Sequence, residues 1–200
     1  MQHNLIFLLL LSYFLGSIPF GLIFTKVFGY GDIRRIGSKN IGATNVLRAG
    51  NKLMSLLTFI CDFFKGFVPV YYVGVLYKDI YISFFCGITA VLGHIFSIYL
   101  KFKGGKGVAT TYGFVLAFLI LENQINLFII MTLSWLIIFF TTKYVALSSI
   151  ISLLTLSILS INYIDQKYFL FLSILTLIII FKHSDNIRRI KEKKEKKINF

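Results

Sequence analysis

Between Lys101 and Gly107 the chain places three lysines and three glycines within seven residues, "KFKGGKG", with apolar stretches on both sides. Glycines let backbone N–H groups approach an anion closely and ammonium groups add charge, so this segment is suited to hold a phosphate. Gly104, Gly105 and Lys106 are the residues expected against it. It is not a Walker A loop: the residue six before Lys106 is Leu100 and the residue after it is Gly107, where that motif requires Gly and Ser or Thr.

A second donor-rich segment, "GSKNIGATNVLRAGNK", runs from 37 to 52. Ser38, Asn40, Thr44 and Asn45 can donate hydrogen bonds, Gly37 and Gly42 permit close backbone approach, and Arg48 offers a planar fork for phosphate oxygens. Asp32 is the only carboxylate upstream of it in the same connection. Two further groups lie inside apolar sequence. Asp62 and Lys65, in "CDFFKG", are three residues apart and share a helical face, so they can pair. Ionisable groups about ten residues into an apolar span are functional candidates, yet a pair that only locks the helix would look the same. His94 is the one histidine inside a motif that already holds other candidate groups.

These segments need elements to carry them. The chain has 200 residues, is 57% hydrophobic and has a mean hydropathy of +0.81, values of a polytopic helical membrane protein. Apolar runs near the roughly 20 residues that cross a bilayer fall at 4–25, 53–77, 80–100, 108–121, 124–142, 144–162 and 166–182. An all-α bundle of about seven transmembrane helices is expected, as a single transmembrane domain over 1–182 followed by a basic tail over 183–200. The first run lacks the basic start of a signal peptide and is expected to remain as a helix. The fourth is short, about 21 Å of helix against a hydrocarbon layer of about 30 Å, which suggests that the lysine–glycine loop before it dips into the membrane.

Net charge is +13. With the N-terminus outside, 18 of the 21 Lys and Arg residues fall in connections on the inner side, the asymmetry that orients membrane proteins. The C-terminus is then cytoplasmic, with "RRIKEKKEKKI" on anionic lipid of the inner leaflet. The basic excess is thereby accounted for without nucleic acid. Cys61 and Cys86 sit in apolar runs without C-x-x-C spacing, so packed thiols are expected, and no His/Cys/Asp/Glu spacing suggests a metal site.

Taken together, "GSIPFG" (16–21), "GSKNIGATNVLR" (37–48), "DFFKG" (62–66), "GHIFSIYLKFKGGKGVAT" (93–110) and the weaker "HSDNIRR" (183–189) resemble the bacterial integral-membrane acyl-phosphate:glycerol-3-phosphate acyltransferases. Order and spacing agree over most of the chain. The departures are Ser97, where that family usually has proline, Ala146, where serine is common, and a lysine-rich tail without the usual glycine. The resemblance implies a seven-helix multi-pass enzyme of the bacterial inner membrane. It would transfer a fatty acyl group from acyl phosphate to glycerol 3-phosphate, giving lysophosphatidic acid and phosphate without a cofactor. It also implies phosphate contacts at Ser38, Asn40, Thr44, Asn45, Arg48 and Lys106, with Ser149, His183 and Asn186 as neighbours. An acyl phosphate is already activated, so no covalent nucleophile is required. Cations must instead offset the repulsion of two anionic substrates and stabilise the oxyanion at the acyl carbonyl. Either His94 or a substrate phosphate could take the hydroxyl proton. The alternative class is a transporter for a phosphorylated metabolite, which would use the same donors.

Overall fold

In the computed structural model the backbone of residues 2–198 and the side chains of residues 5–198 are described, so the side chain of His3 lies outside the described residues. Among the described residues the protein is helical, without strands. The chain forms two compact units, one through Leu121 and one from Glu122 onward.

The first unit holds α1 (Gln2–Ser17), α2 (Phe20–Val27), the short α3 (Ala43–Arg48), α4 (Lys52–Tyr77), α5 (Ile80–Ile95) and α6 (Val108–Leu121). Pro19 divides the first apolar run into α1 and α2, bent by 41°. A break within apolar surroundings strands backbone carbonyls, and each must find a donor. Ser97 Oγ donates to the Ser17 carbonyl at 2.6 Å and Lys65 Nζ to the Ile18 carbonyl at 2.8 Å. The serine that departs from the family's proline therefore caps a broken helix. Asn51 and Asp79 start α4 and α5, their side-chain oxygens accepting from Met54 N–H (2.8 Å) and Ile82 N–H (3.0 Å).

Helices α4 and α6 lie backbone against backbone. A methyl group on Gly66 would collide with the Thr110 carbonyl, and one on Gly113 with the Phe63 carbonyl, so the contact is reciprocal and open only to glycine. Where lipid is as apolar as leucine, such close approach supplies the attraction between helices. Phe84 of α5 closes this core with its ring edge-on to Phe114 (5.2 Å) and Phe118 (4.9 Å) of α6.

The second unit holds α7 (Ile125–Thr142), α8 (Val145–Tyr163), α9 (Gln166–Lys182) and α10 (Ser184–Lys191). Ser157 and Thr176 hydroxyls bond at 3.0 Å between α8 and α9, and Trp135 stacks on Phe139 within α7. The tail, expected as a basic extension, opens instead with a helix bent 55° from α9 and packed on α8 and α9.

The seven expected spans all fall on helical segments, but fewer are full spans. Four helical stretches, Lys52–Tyr77, Ile80–Leu100, Ile125–Thr142 and Val145–Tyr163, are long and apolar enough to cross a membrane, and counting each bent pair as one span makes six. The seventh, α6, has only 14 residues. The shortfall read from the sequence is thus present in the structure.

Candidate active site

The connection between α2 and α4 is organised around one amide. Asn45 is buried in α3, and its Nδ2 donates towards the carbonyls of Ile33 (3.1 Å), Ile36 (2.9 Å) and Asn40 (2.8 Å), while its Oδ1 accepts from Ser38 N–H at 2.8 Å. Gly37 is in the left-handed region at a φ of 58° and lies so close to Oδ1 that a methyl group would collide with it. Asn45, expected as a phosphate donor, is therefore engaged with backbone on both sides of its amide. This engagement has a plain cause: a looping segment buried under its own helix must satisfy its backbone groups, and an amide with two donors and an acceptor does so at once. Upstream, Asp32 accepts from Arg34 N–H at 3.0 Å and pairs with its guanidinium at 2.6 Å. The Arg34 hydrogen bonds hold the Asp32 carboxyl well below the usual carboxylate range, so this loop carboxylate stays paired. Ser38, Asn40, Thr44 and Arg48 are half-buried and border the same loop.

The lysine–glycine loop folds back on the end of α5. After a single 3-10 turn, Ile98–Leu100, the backbone passes through left-handed Lys101 (φ 52°) and Phe102 (φ 62°). Gly104 N–H then donates to the Ile95 carbonyl (3.2 Å) and Gly105 N–H to the His94 carbonyl (3.0 Å). Both of these N–H groups are thus engaged by the end of α5. What the glycines provide is clearance, because a methyl group on Gly104 would collide with the His94 carbonyl and one on Gly105 with His94 Nε2. Lys106 follows, half-buried, one residue ahead of left-handed Gly107 (φ 85°) and the start of α6.

The two loops meet through their apolar residues. Leu100, at the foot of the lysine loop, belongs to one buried cluster with Leu22, Ile33, Ile41, Val46 and Met54. Residues 33–46 and the lysine loop are thus anchored in the same small core, which brings their polar residues to one end of the first unit. Beneath them Asp62 and Lys65 pair as expected, at 2.7 Å, and His94 Nδ1 lies 3.7 Å from the same carboxylate oxygen.

The remaining candidates belong to the second unit. Ser149 Oγ donates to the Val145 carbonyl at 2.8 Å and accepts from Trp135 Nε1 at 3.3 Å. His183 Nδ1 lies 2.8 Å from the Ile179 carbonyl, which places the proton of a neutral ring on Nδ1. Asn186 Nδ2 donates to Glu195 at 3.0 Å, and Arg189 Nε donates to the other carboxylate oxygen at 2.6 Å. Glu195 is buried in the middle of the lysine run that is expected on anionic lipid. Neither this contact nor the Ser97 bond to Ser17 carries a signal in the sequence around it.

Cys61 and Cys86 are free thiols, half-buried and buried. Among the described residues no three His, Cys, Asp or Glu side chains gather as a metal site.

Comparison with known proteins points one way. The glycerol-3-phosphate acyltransferase family model matches residues 6–193. Curated relatives called glycerol-3-phosphate acyltransferase include those of Pelagibacter ubique, 44% identical and covering 93% of both chains, and Ehrlichia canis, 41% identical over 96% of this chain and 97% of its own. Among solved structures, PlsY (YgiH), an integral membrane glycerol 3-phosphate acyltransferase, matches in its glycerol 3-phosphate form with a TM-score of 0.89 and 35% identity. That match covers 98% of this chain and 96% of the other. The lysophosphatidic acid form matches with a TM-score of 0.85 and 34% identity. A helical membrane chain with two donor-rich loops anchored in one core, matched along nearly its whole length, belongs to the glycerol-3-phosphate acyltransferase family.

Proposed function

We propose that the protein uses acyl phosphate as its donor and forms lysophosphatidic acid. The glycerol 3-phosphate hydroxyl oxygen attacks the acyl carbonyl carbon, the bond from that carbon to the phosphate oxygen breaks, and the hydroxyl proton leaves with inorganic phosphate. The observation that carries this reading is the shared anchoring of the Arg48 and Lys106 loops through Leu100, Ile33, Ile41 and Val46. Two anionic substrates repel each other, and cations held on two joined loops offset that repulsion. Solved relatives with glycerol 3-phosphate and lysophosphatidic acid forms support the acceptor and product.

Within this reading Arg48 and Lys106 touch phosphate, with Ser38, Asn40 and Thr44 as donors beside them. Asn45, Gly104 and Gly105 shape the loops, a role that follows from how their polar groups are engaged. Ser149, His183 and Asn186 hold their substrate-binding role by family likeness. A dianionic phosphate beside the hydroxyl accepts its proton, and His94 orients rather than abstracts. The N-terminus lies outside and the C-terminus in the cytoplasm of a bacterial inner membrane, with the basic residues after 183 on anionic lipid.

The test is turnover by purified protein in detergent, where no compartment exists for transport. Labelled glycerol 3-phosphate is supplied with acyl phosphate, acyl-CoA or an acyl carrier protein thioester in parallel. Lipid product with acyl phosphate alone supports the reading. Product with a thioester and none with acyl phosphate overturns the donor assignment.

A further inference from the structure

Asp62 is the junction of a buried network that reaches beyond its ion pair. Its Oδ1 lies 2.7 Å from Lys65 Nζ, one turn along α4, and 3.7 Å from His94 Nδ1 on α5. All three residues are 3–4% exposed. The Lys65 ammonium also donates to the Ile18 carbonyl at 2.8 Å, at the break between α1 and α2, and stands 5.7 Å over the Phe20 ring. On the other side, the His94 ring is the wall against which Gly105 lies, and the His94 carbonyl accepts the Gly105 N–H at 3.0 Å. One carboxylate thus connects the break in the first span, the middle of α4, the end of α5 and the loop that carries Lys106.

A pair that only locked α4 would be complete at Lys65 and Ile18. Replacing a buried ion pair by well-packed apolar groups is often neutral or stabilising, so stability alone is a weak reason for a network of this kind. The second partner supplies another. A carboxylate facing Nδ1 attracts the ring's proton to that nitrogen and selects one face-flip of the imidazole. With Nδ1 turned to Asp62, Nε2 is the atom presented to Gly105.

We propose that Asp62 is a positioning residue for the lysine–glycine loop: neutralised by Lys65, it fixes the His94 ring, and the ring sets where Gly105 and Lys106 lie. The inference rests on the acyltransferase reading. Removing the charge at Asp62 frees the ring to turn and lets the loop drift, and a displacement of about 1 Å at a reacting centre can cost about 10²-fold. Because the drifting loop carries Lys106, the defect falls first on glycerol 3-phosphate recognition.

The experiment compares wild type, Asp62→Asn, Gly105→Ala, His94→Ala and the double variant Gly105→Ala/His94→Ala, all purified in detergent with their thermal unfolding recorded. A wild type without acyltransferase activity is a failure of the parent reading, seen before any variant is measured. With an active wild type, Asp62→Asn is expected to raise the KM for glycerol 3-phosphate at least tenfold in folded protein, with kcat reduced less. A merely structural role predicts less folded protein with an unchanged KM, and that result overturns the proposal. Gly105→Ala places a methyl group into the ring, so removing the ring restores its room. The double variant should retain activity within about threefold of His94→Ala alone, a coupling that non-interacting sites do not show. Losses that multiply in the double variant overturn the link between ring and loop, and they do so even if Asp62→Asn does not fold.

Discussion

Replacing Asn45 by alanine should loosen the first donor loop without touching substrate. The side chain serves three carbonyls with its two N–H groups and accepts one N–H, all within residues 33–45. At about 0.5–1.5 kcal/mol net per hydrogen bond, and counting three because the amide has only two protons to share, the loss is about 1.5–4.5 kcal/mol. With tenfold per 1.4 kcal/mol, local opening of this loop should become about 10- to 1600-fold more frequent. Hydrogen–deuterium exchange of the peptide covering 33–45, in detergent or nanodiscs, reads that change directly. Asn45→Asp is the sharper variant: it keeps an acceptor for Ser38 N–H but turns a carboxylate oxygen towards the three carbonyls, so it should open the loop at least as much. In both variants Arg48 should lose its placement, and the KM for glycerol 3-phosphate should rise. Exchange within threefold of wild type, or an aspartate variant that behaves as wild type, would refute the assignment of Asn45 as the loop's internal support.

Arg48→Lys should lower kcat/KM for glycerol 3-phosphate at least tenfold, because a bidentate fork becomes a point charge; near-wild-type activity at subsaturating substrate would show the fork unused. His94→Asn and His94→Gln should keep appreciable activity while His94→Ala loses more; a fall of all three by about 10³-fold at saturating substrate would return the base to His94. In a cysteine-free background in intact cells, an impermeant thiol reagent should label cysteines at Asp79 and Glu122 but not at Lys39 or Lys103, and the opposite pattern inverts the orientation. Ser97→Ala should destabilise by about 1–2 kcal/mol, since it strands the buried Ser17 carbonyl. Ser97→Pro should be milder than alanine, because the φ of −61° there is one that proline adopts; Tm values in detergent rank the two.

Composition and local pattern by themselves determined that this chain is a helical membrane protein, where its apolar segments lie, and which connections carry donors. Those properties depend on hydropathy and spacing over a few residues, which the sequence displays directly. Pairing of Asp62 with Lys65 was legible for the same reason, since three residues on a helix fix the distance. Function was legible through ordered motifs that resemble a family, not through any one of them. Only the tertiary structure decided which polar groups are already spent. Asn45, Gly104 and Gly105 look from the sequence like donors awaiting an anion, and in the fold each bonds to backbone. Ser97 and Ser17 are 80 residues apart, and Lys65 and Ile18 are 47 apart, so no local signal could announce that they repair the break at Pro19. The same holds for Asp62 and His94, which meet only because α4 and α5 pack side by side. Hydrogen-bond satisfaction is a property of the whole fold: a buried carbonyl takes whichever donor the packing delivers, and packing is decided by contacts far apart in the chain.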